Sequence, residues 1–162
     1  MAEKRIIRFT LNGEERQFLC LPDERLLGLL RRSGFKGVKK GCEDGSCGCC
    51  TVIMDGRAVY SCILHAFQAE GRDVRTVESV GDFDRPHPFQ KALAEEGAVQ
   101  CGFCTPGMVM SAKALLDKDP HPSESKLKEH MDGVLCRCTG YVKIEEALRR
   151  VSSPEGGKGD GR

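Results

Sequence analysis

Cys42, Cys47, Cys50 and Cys62 stand in the spacing C-x4-C-x2-C-x11-C, a ligand spacing suited to a [2Fe–2S] cluster. Thiolates are the soft donors that iron held with sulfide requires. The inorganic sulfides carry negative charge, so a loop around them must turn backbone N–H groups inward. Gly41, Gly45 and Gly48 alternate with the cysteines and are expected to supply the unusual backbone angles for that turn. Cys62 ends the strand after Asp55-Gly56 and can reach back to the loop.

Cys101, Cys104, Cys136 and Cys138 form a second set, C-x2-C and then, after 31 residues, C-x-C. Each pair is expected at the start of a helix, one before Pro106 and one before Gly140. Free N–H groups and the positive end of the helix dipole stabilise thiolates there. Spacing leaves structural zinc and a redox-active Cys101–Cys104 pair open as alternatives. Two of the ten cysteines remain. Cys20 ends a strand and reads as a small buried hydrophobe. Cys49 adjoins Cys50; it either packs as a small residue or competes with Cys50 as a ligand. His65 follows Cys62 by three residues, but four thiols are already available, so it reads as structural or exposed. His87, His121 and His130 lie in polar or Pro-rich contexts and are expected to do nothing specific.

Residues 5–20 alternate apolar and polar side chains around Asn12-Gly13, the pattern of a hairpin. Asp23 is expected to cap a helix carrying Leu26, Leu27, Leu29 and Leu30, and Gly34 to stop it. Residues 51–60 repeat the hairpin pattern around Asp55-Gly56, and Val74–Val77 reads as a closing strand. Strand signals then vanish. Helices are expected over 89–96, 106–117, 123–132 and 140–151. The division is therefore 1–80, a mixed sheet with one helix across it; 81–88, a Pro-punctuated linker; 89–152, a helical domain; and 153–162, a disordered tail. The fold class is α+β.

The bulk numbers exclude other classes. The 162 residues carry 25 basic and 24 acidic side chains, a net charge of +1, with 6% aromatics and no Trp. That balance argues for neither nucleic acid nor a membrane surface as partner. No apolar run is long enough to span a bilayer, and the N-terminus lacks the pattern of a secretory signal. A cytoplasmic location follows as the expectation, and there a disulfide framework is a poor account of ten cysteines.

Three stretches together resemble the small iron–sulfur subunit of the molybdenum hydroxylase (xanthine dehydrogenase) family: Gly41-Cys42-Glu43-Asp44-Gly45-Ser46-Cys47-Gly48-Cys49-Cys50-Thr51-Val52, Val99-Gln100-Cys101-Gly102-Phe103-Cys104-Thr105-Pro106-Gly107-Met108 and Leu135-Cys136-Arg137-Cys138-Thr139-Gly140-Tyr141. One departure is Cys49, where the family usually has Ala. The resemblance implies an N-terminal β-grasp, ferredoxin-like domain followed by a C-terminal four-helix-bundle domain, each with one [2Fe–2S] cluster. It implies that the chain relays single electrons between a molybdenum–pterin cofactor in a large subunit and FAD in a medium subunit, in a heterotrimer or a dimer of heterotrimers. It makes this chain the non-catalytic subunit of an oxidoreductase. Gln100 matches the residue that hydrogen-bonds the pterin; the other reading of Gln100 is a buried amide satisfied within the bundle. Lys39-Lys40 is either a solvated charged pair or faces the flavin subunit. Rival functions are a free-standing ferredoxin-like carrier and a zinc-stabilised binding module.

Overall fold

The computed structural model describes residues 3–153; the tail expected over 153–162 lies, except for Ser153, outside the described residues. Strands β1 (Arg5–Leu11) and β2 (Glu14–Cys20) form the first hairpin, and β3 (Thr51–Met54) and β4 (Arg57–Tyr60) the second. Each closes on a two-residue turn with positive φ at both positions: Asn12 at 54° and Gly13 at 85°, Asp55 at 49° and Gly56 at 74°. These are the primed turns whose twist matches that of paired strands. Strand β5 (Asp73–Arg75) lies between the hairpins, giving the order β2-β1-β5-β3-β4. It runs parallel to β1 and antiparallel to β3. The strand is shorter than expected, because Val77–Ser79 turns into a 3-10 helix.

Helix α1 (Leu26–Arg32) buries Leu26, Leu27, Leu29 and Leu30 against the sheet. Asp23 does not cap it. The preceding residue, Arg25, makes no side-chain cap, and the first N–H groups instead go to backbone carbonyls, Leu26 to Leu64 at 2.8 Å and Leu27 to Ser61 at 3.0 Å. The start of α1 is thus satisfied by the chain on either side of Cys62, which fixes that cysteine relative to the helix. Gly34, at φ 102°, ends the helix as expected.

Four helices follow: α2 (Pro88–Glu95), α3 (Thr105–Leu116), α4 (Glu124–Asp132) and α5 (Val142–Ser152). His87 is not idle. Its Nδ1 accepts the Phe89 N–H at 3.2 Å, and Gln90 returns a bond to the His87 N–H, a reciprocal cap at the start of α2. His121 is tied to the Ser152 carbonyl at the end of α5, at 2.7 Å. In α3 Gly107, Met108, Val109, Met110, Ser111, Ala112, Ala114 and Leu115 are all buried. A helix apolar on every side is one covered on every side. Here α4 covers one side of α3 and strand β3 another.

Two apolar cores result, one under the sheet and one among the helices. Ile53 of β3 meets Met110 and Ala114 of α3 between them. The second core also takes in Cys49, from the loop that precedes β3. This contact depends on missing side chains. A Cβ at Gly48 would lie 2.0 Å from the Gly133 carbonyl oxygen, and one at Gly107 would lie 2.7 Å from the Gly48 oxygen and 3.1 Å from the Cys49 Cα. Alanine in place of a helical glycine ordinarily stabilises by about 1 kcal/mol. At Gly107 the added methyl meets backbone first and the Val134 side chain at 3.3 Å, so Gly107→Ala is expected to destabilise by about 1–3 kcal/mol. Urea unfolding of the purified protein, followed by circular dichroism, measures it, and a raised midpoint would contradict the packing described.

Candidate metal-binding sites

The first thiol set lies on the 41–50 loop and in the turn after β4, where Cys62 stands two residues past the strand it was expected to end. Four consecutive carbonyls of this loop are engaged away from the thiols. That of Cys47 accepts the Leu135 N–H at 2.9 Å, that of Cys49 accepts the Lys39 N–H at 3.3 Å, and that of Cys50 accepts the Ser61 N–H at 3.4 Å. The Gly48 carbonyl accepts the Thr51 hydroxyl at 2.6 Å. With the carbonyls turned outward, N–H groups remain for sulfur. The Cys47 N–H reaches Cys42 Sγ at 3.3 Å, and the Gly45 backbone favours the ionised form of Cys62.

Gly45 and Gly48 take positive φ, 88° and 66°, as expected of a loop that wraps anionic sulfur. Gly41 does not belong with them. Its requirement is steric, since a Cβ there would lie 2.7 Å from Cys47 Sγ. The left-handed residue between Cys42 and Gly45 is Glu43, at φ 67°.

The second set converges from the starts of two helices. Cys104 is the residue before α3. Cys136 and Cys138 sit in the 134–141 loop ahead of α5, which begins at Val142. Tyr141 ties that loop together: its hydroxyl accepts the Cys136 N–H at 2.8 Å and donates to the Val134 carbonyl at 3.3 Å. Tyr141 holds φ 70° to do so, directly after Gly140 at 65°. Thr139 donates its hydroxyl to Cys136 Sγ at 3.1 Å. A cavity of about 280 Å³, with almost wholly apolar walls, is lined by all four thiols of this set together with Cys47 and Cys49 of the first loop.

The thiols occur as pairs. Cys101 and Cys138 sulfurs are 3.5 Å apart. The Cys42 thiol feels Cys47, that of Cys62 feels Cys50, and that of Cys104 feels Cys136. Among the described residues, no three His, Cys, Asp or Glu side chains gather around the point that one metal ion would occupy. Two pairs per set fit a binuclear centre, in which each iron takes two protein thiolates. The thiols differ in how readily they ionise. Burial, then the Cys50 thiol, pushes Cys62 up to about 12, and burial with Cys136 does the same to Cys104. Burial and Asp44 also push Cys42 up, but N–H groups of Asp44 and Cys47 outweigh them and leave it lowered to about 7. Exposed Cys101 is lowered by the Phe103 N–H and then by Cys138. Each set thus offers a thiol that ionises readily and buried partners that ionise once a cation is close.

Gln100 is exposed beside Cys101, so the reading of it as an amide satisfied inside the helical half fails. His65 stacks on Phe67, with ring centroids 5.4 Å apart, and holds the start of a 3-10 turn. Cys20 is buried within the first core. Cys49 is buried in the second core beside Cys47, with its thiol 3.7 Å from the Cys47 carbonyl and 3.9 Å from that of Leu135. Tyr60, whose hydroxyl donates to the Gly133 carbonyl at 2.7 Å, and Tyr141 are positioning residues that the cysteine spacing did not single out. Cys49→Ala is therefore expected to keep full iron content at a cost of about 1 kcal/mol, whereas Cys104→Ser loses about half of the bound iron. Iron analysis per chain checks both, and lost iron in Cys49→Ala would assign that thiol a ligand's role.

The two halves match two families, described as "2Fe-2S iron-sulfur cluster binding domain" over residues 9–77 and "[2Fe-2S] binding domain" over residues 76–149. The chain is 49% identical over 144 residues to the nicotinate dehydrogenase small FeS subunit of Eubacterium barkeri, covering 88% of this chain and 92% of that one. It is 43% identical to the xanthine dehydrogenase iron-sulfur-binding subunit of Escherichia coli O157:H7, covering 85% and 88%. Among solved structures, a chain of quinoline 2-oxidoreductase from Pseudomonas putida 86 superposes with a TM-score of 0.88 at 39% identity, over 93% of this chain and 94% of that one. The chain belongs to the family of small iron–sulfur subunits of the molybdenum hydroxylases of the xanthine and nicotinate dehydrogenase type.

Proposed function

We propose that this chain relays single electrons between two partner subunits of a molybdenum-dependent oxidoreductase and is itself non-catalytic. The observation that carries the reading is the direct link between the two thiol sets: the N–H of Leu135, next to Cys136, donates to the carbonyl of Cys47 at 2.9 Å. Cys42, Cys47, Cys50 and Cys62 would hold one [2Fe–2S] cluster, and Cys101, Cys104, Cys136 and Cys138 the other. A bound [2Fe–2S] cluster exchanges one electron at a time, so a pair of them divides a two-electron oxidation into single steps. The chain's own residues fix the separation of the two sites, supply the N–H and hydroxyl donors that set their potentials, and bury Cys50, Cys62 and Cys104 away from water.

In this reading residues 1–80 form a β-grasp, ferredoxin-like domain, 81–88 the connection, and 89–152 a four-helix domain. The second site faces a large subunit that holds the molybdenum–pterin cofactor, with Gln100 on the pterin. Support comes from the surface there: exposed Cys101 and Cys138 stand among Val99, Phe103 and Leu135, whose exposures of 42%, 45% and 49% are high for apolar side chains. Apolar groups clustered at an open site mark a protein interface. The first site passes electrons on to FAD in a medium subunit of a cytoplasmic heterotrimer or dimer of heterotrimers. A free-standing carrier would need only one site and no such apolar surface at the other.

Iron, sulfide and zinc analysis of the purified native complex, with electron paramagnetic resonance after dithionite reduction, tests the assignment. About four irons per chain and two distinct [2Fe–2S] signals are expected. A colourless, zinc-bearing chain would replace this reading with the zinc-stabilised module.

A further inference from the structure

The molecule is nearly neutral overall, with a net charge of +1, yet its charge is unevenly matched. In the helical half most basic side chains meet carboxylates: Arg149 pairs with Glu124 and Glu145, Arg150 with Glu95 and Glu96, and Lys126 with Asp119. Around the first site the pattern differs. A cavity of about 610 Å³ reaches Cys62 and is otherwise lined largely by cations, Arg25, Arg31, Arg32, Lys36 and Lys40, against the single acid Glu43. Arg32 is neutralised by Glu24 and Lys40 by Glu43. Arg25, Arg31 and Lys36 form no ion pair among the described residues. The two arginines are instead held by backbone carbonyls, Arg25 by Ile63 at 3.1 Å and Arg31 by Val38 at 2.7 Å and Lys36 at 3.2 Å. Carbonyl bonds fix a guanidinium in place without cancelling its charge. Ile63, which follows Cys62 and is 48% exposed, adds an apolar point beside the cations.

The two sites therefore open onto faces of different chemistry. The second site's surroundings are largely apolar, with Arg137 the one charge in the cavity wall, as in a permanent interface; the first site's are largely cationic despite Glu43 and Asp44, as in a contact that charge selects and orients. We propose that this cationic face seats an acidic surface of the flavin-bearing partner subunit over Cys62, with Ile63 as the apolar anchor. The proposal rests on the electron-relay reading above and adds to it the surface and the chemistry of the second docking. Charge seats this partner, so salt weakens the contact: screening at physiological ionic strength acts over about 8 Å, and more salt shortens that range.

The test uses the complex purified through a tag on this chain and washed over a rising NaCl series. The readout is the ratio of flavin-bearing subunit to this chain. Lys36→Glu/Lys40→Glu reverses two exposed charges that hold no thiol, and Lys118→Glu/Lys128→Glu makes the same change of net charge on exposed positions of the helical half. The first pair is expected to lower the NaCl concentration that removes half of the flavin-bearing subunit by about threefold or more, and the second to leave it unchanged. Both should retain the two iron–sulfur signals. Equal retention by the two variants, or an equal shift in both, overturns the proposal while leaving the relay intact. A complex with both signals but no flavin-bearing subunit overturns it as well, and a chain without iron–sulfur signals removes the relay reading and this one together.

Discussion

The contact of Gly48 with Gly107 and Gly133 is the constraint on which the arrangement of both sites depends. At Gly48 and Gly107 a backbone oxygen, and at Gly133 the Tyr60 hydroxyl, occupies the space that a side chain would need. Their absence lets the loop of the first thiol set lie directly on the start of α3 and on the 133–135 segment. From that approach follow the Leu135–Cys47 hydrogen bond, the bond from Tyr60 to Gly133, and the burial of Cys49 in the helical core. Two small halves, each with a modest core of its own, are joined at the point where their metal-binding loops meet. Here close packing serves both stability and electron transfer, because the contact that buries apolar surface also sets the separation of the sites.

The thiols place opposed demands on the chain around them. A four-thiolate site is anionic and needs donors, yet a buried loop must also satisfy its carbonyls. The 47–50 segment meets both demands by directing its carbonyls to Leu135, Thr51, Lys39 and Ser61, which lie on different elements. Any movement of those elements would reach the sulfur. The second site achieves the same end with helix starts and two hydroxyls, those of Tyr141 and Thr139. Different donors around chemically similar centres give different reduction potentials, which is what a directed relay requires.

Much of this was legible in the sequence, for identifiable reasons. Thiol spacing reports loop geometry, and Asn12-Gly13 and Asp55-Gly56 report hairpins because few other dipeptides accept two positive φ values. What escaped depended on distant partners. Asp23 looks like a cap, but Leu64 and Ser61 supply the acceptors for α1, and nothing near Asp23 announces them. His87 looks idle until Gln90 completes the cap. Gly41 reads as a left-handed residue but is a matter of space beside Cys47, and the contact of Gly107 with Gly48 has no signal in the local sequence. Tyr60 and Tyr141 carry no local pattern, since their partners are chosen by the tertiary fold.

In the proposed relay both four-thiol sites hold clusters, and the glycine contact brings these close enough to exchange electrons directly. Spin–spin interaction between the two reduced clusters tests this most directly. Electron paramagnetic resonance of the fully reduced native protein should show broadening or splitting that neither Cys50→Ser nor Cys104→Ser, each lacking one cluster, displays. Two signals that relax independently and equal the sum of the single-site variants would contradict it.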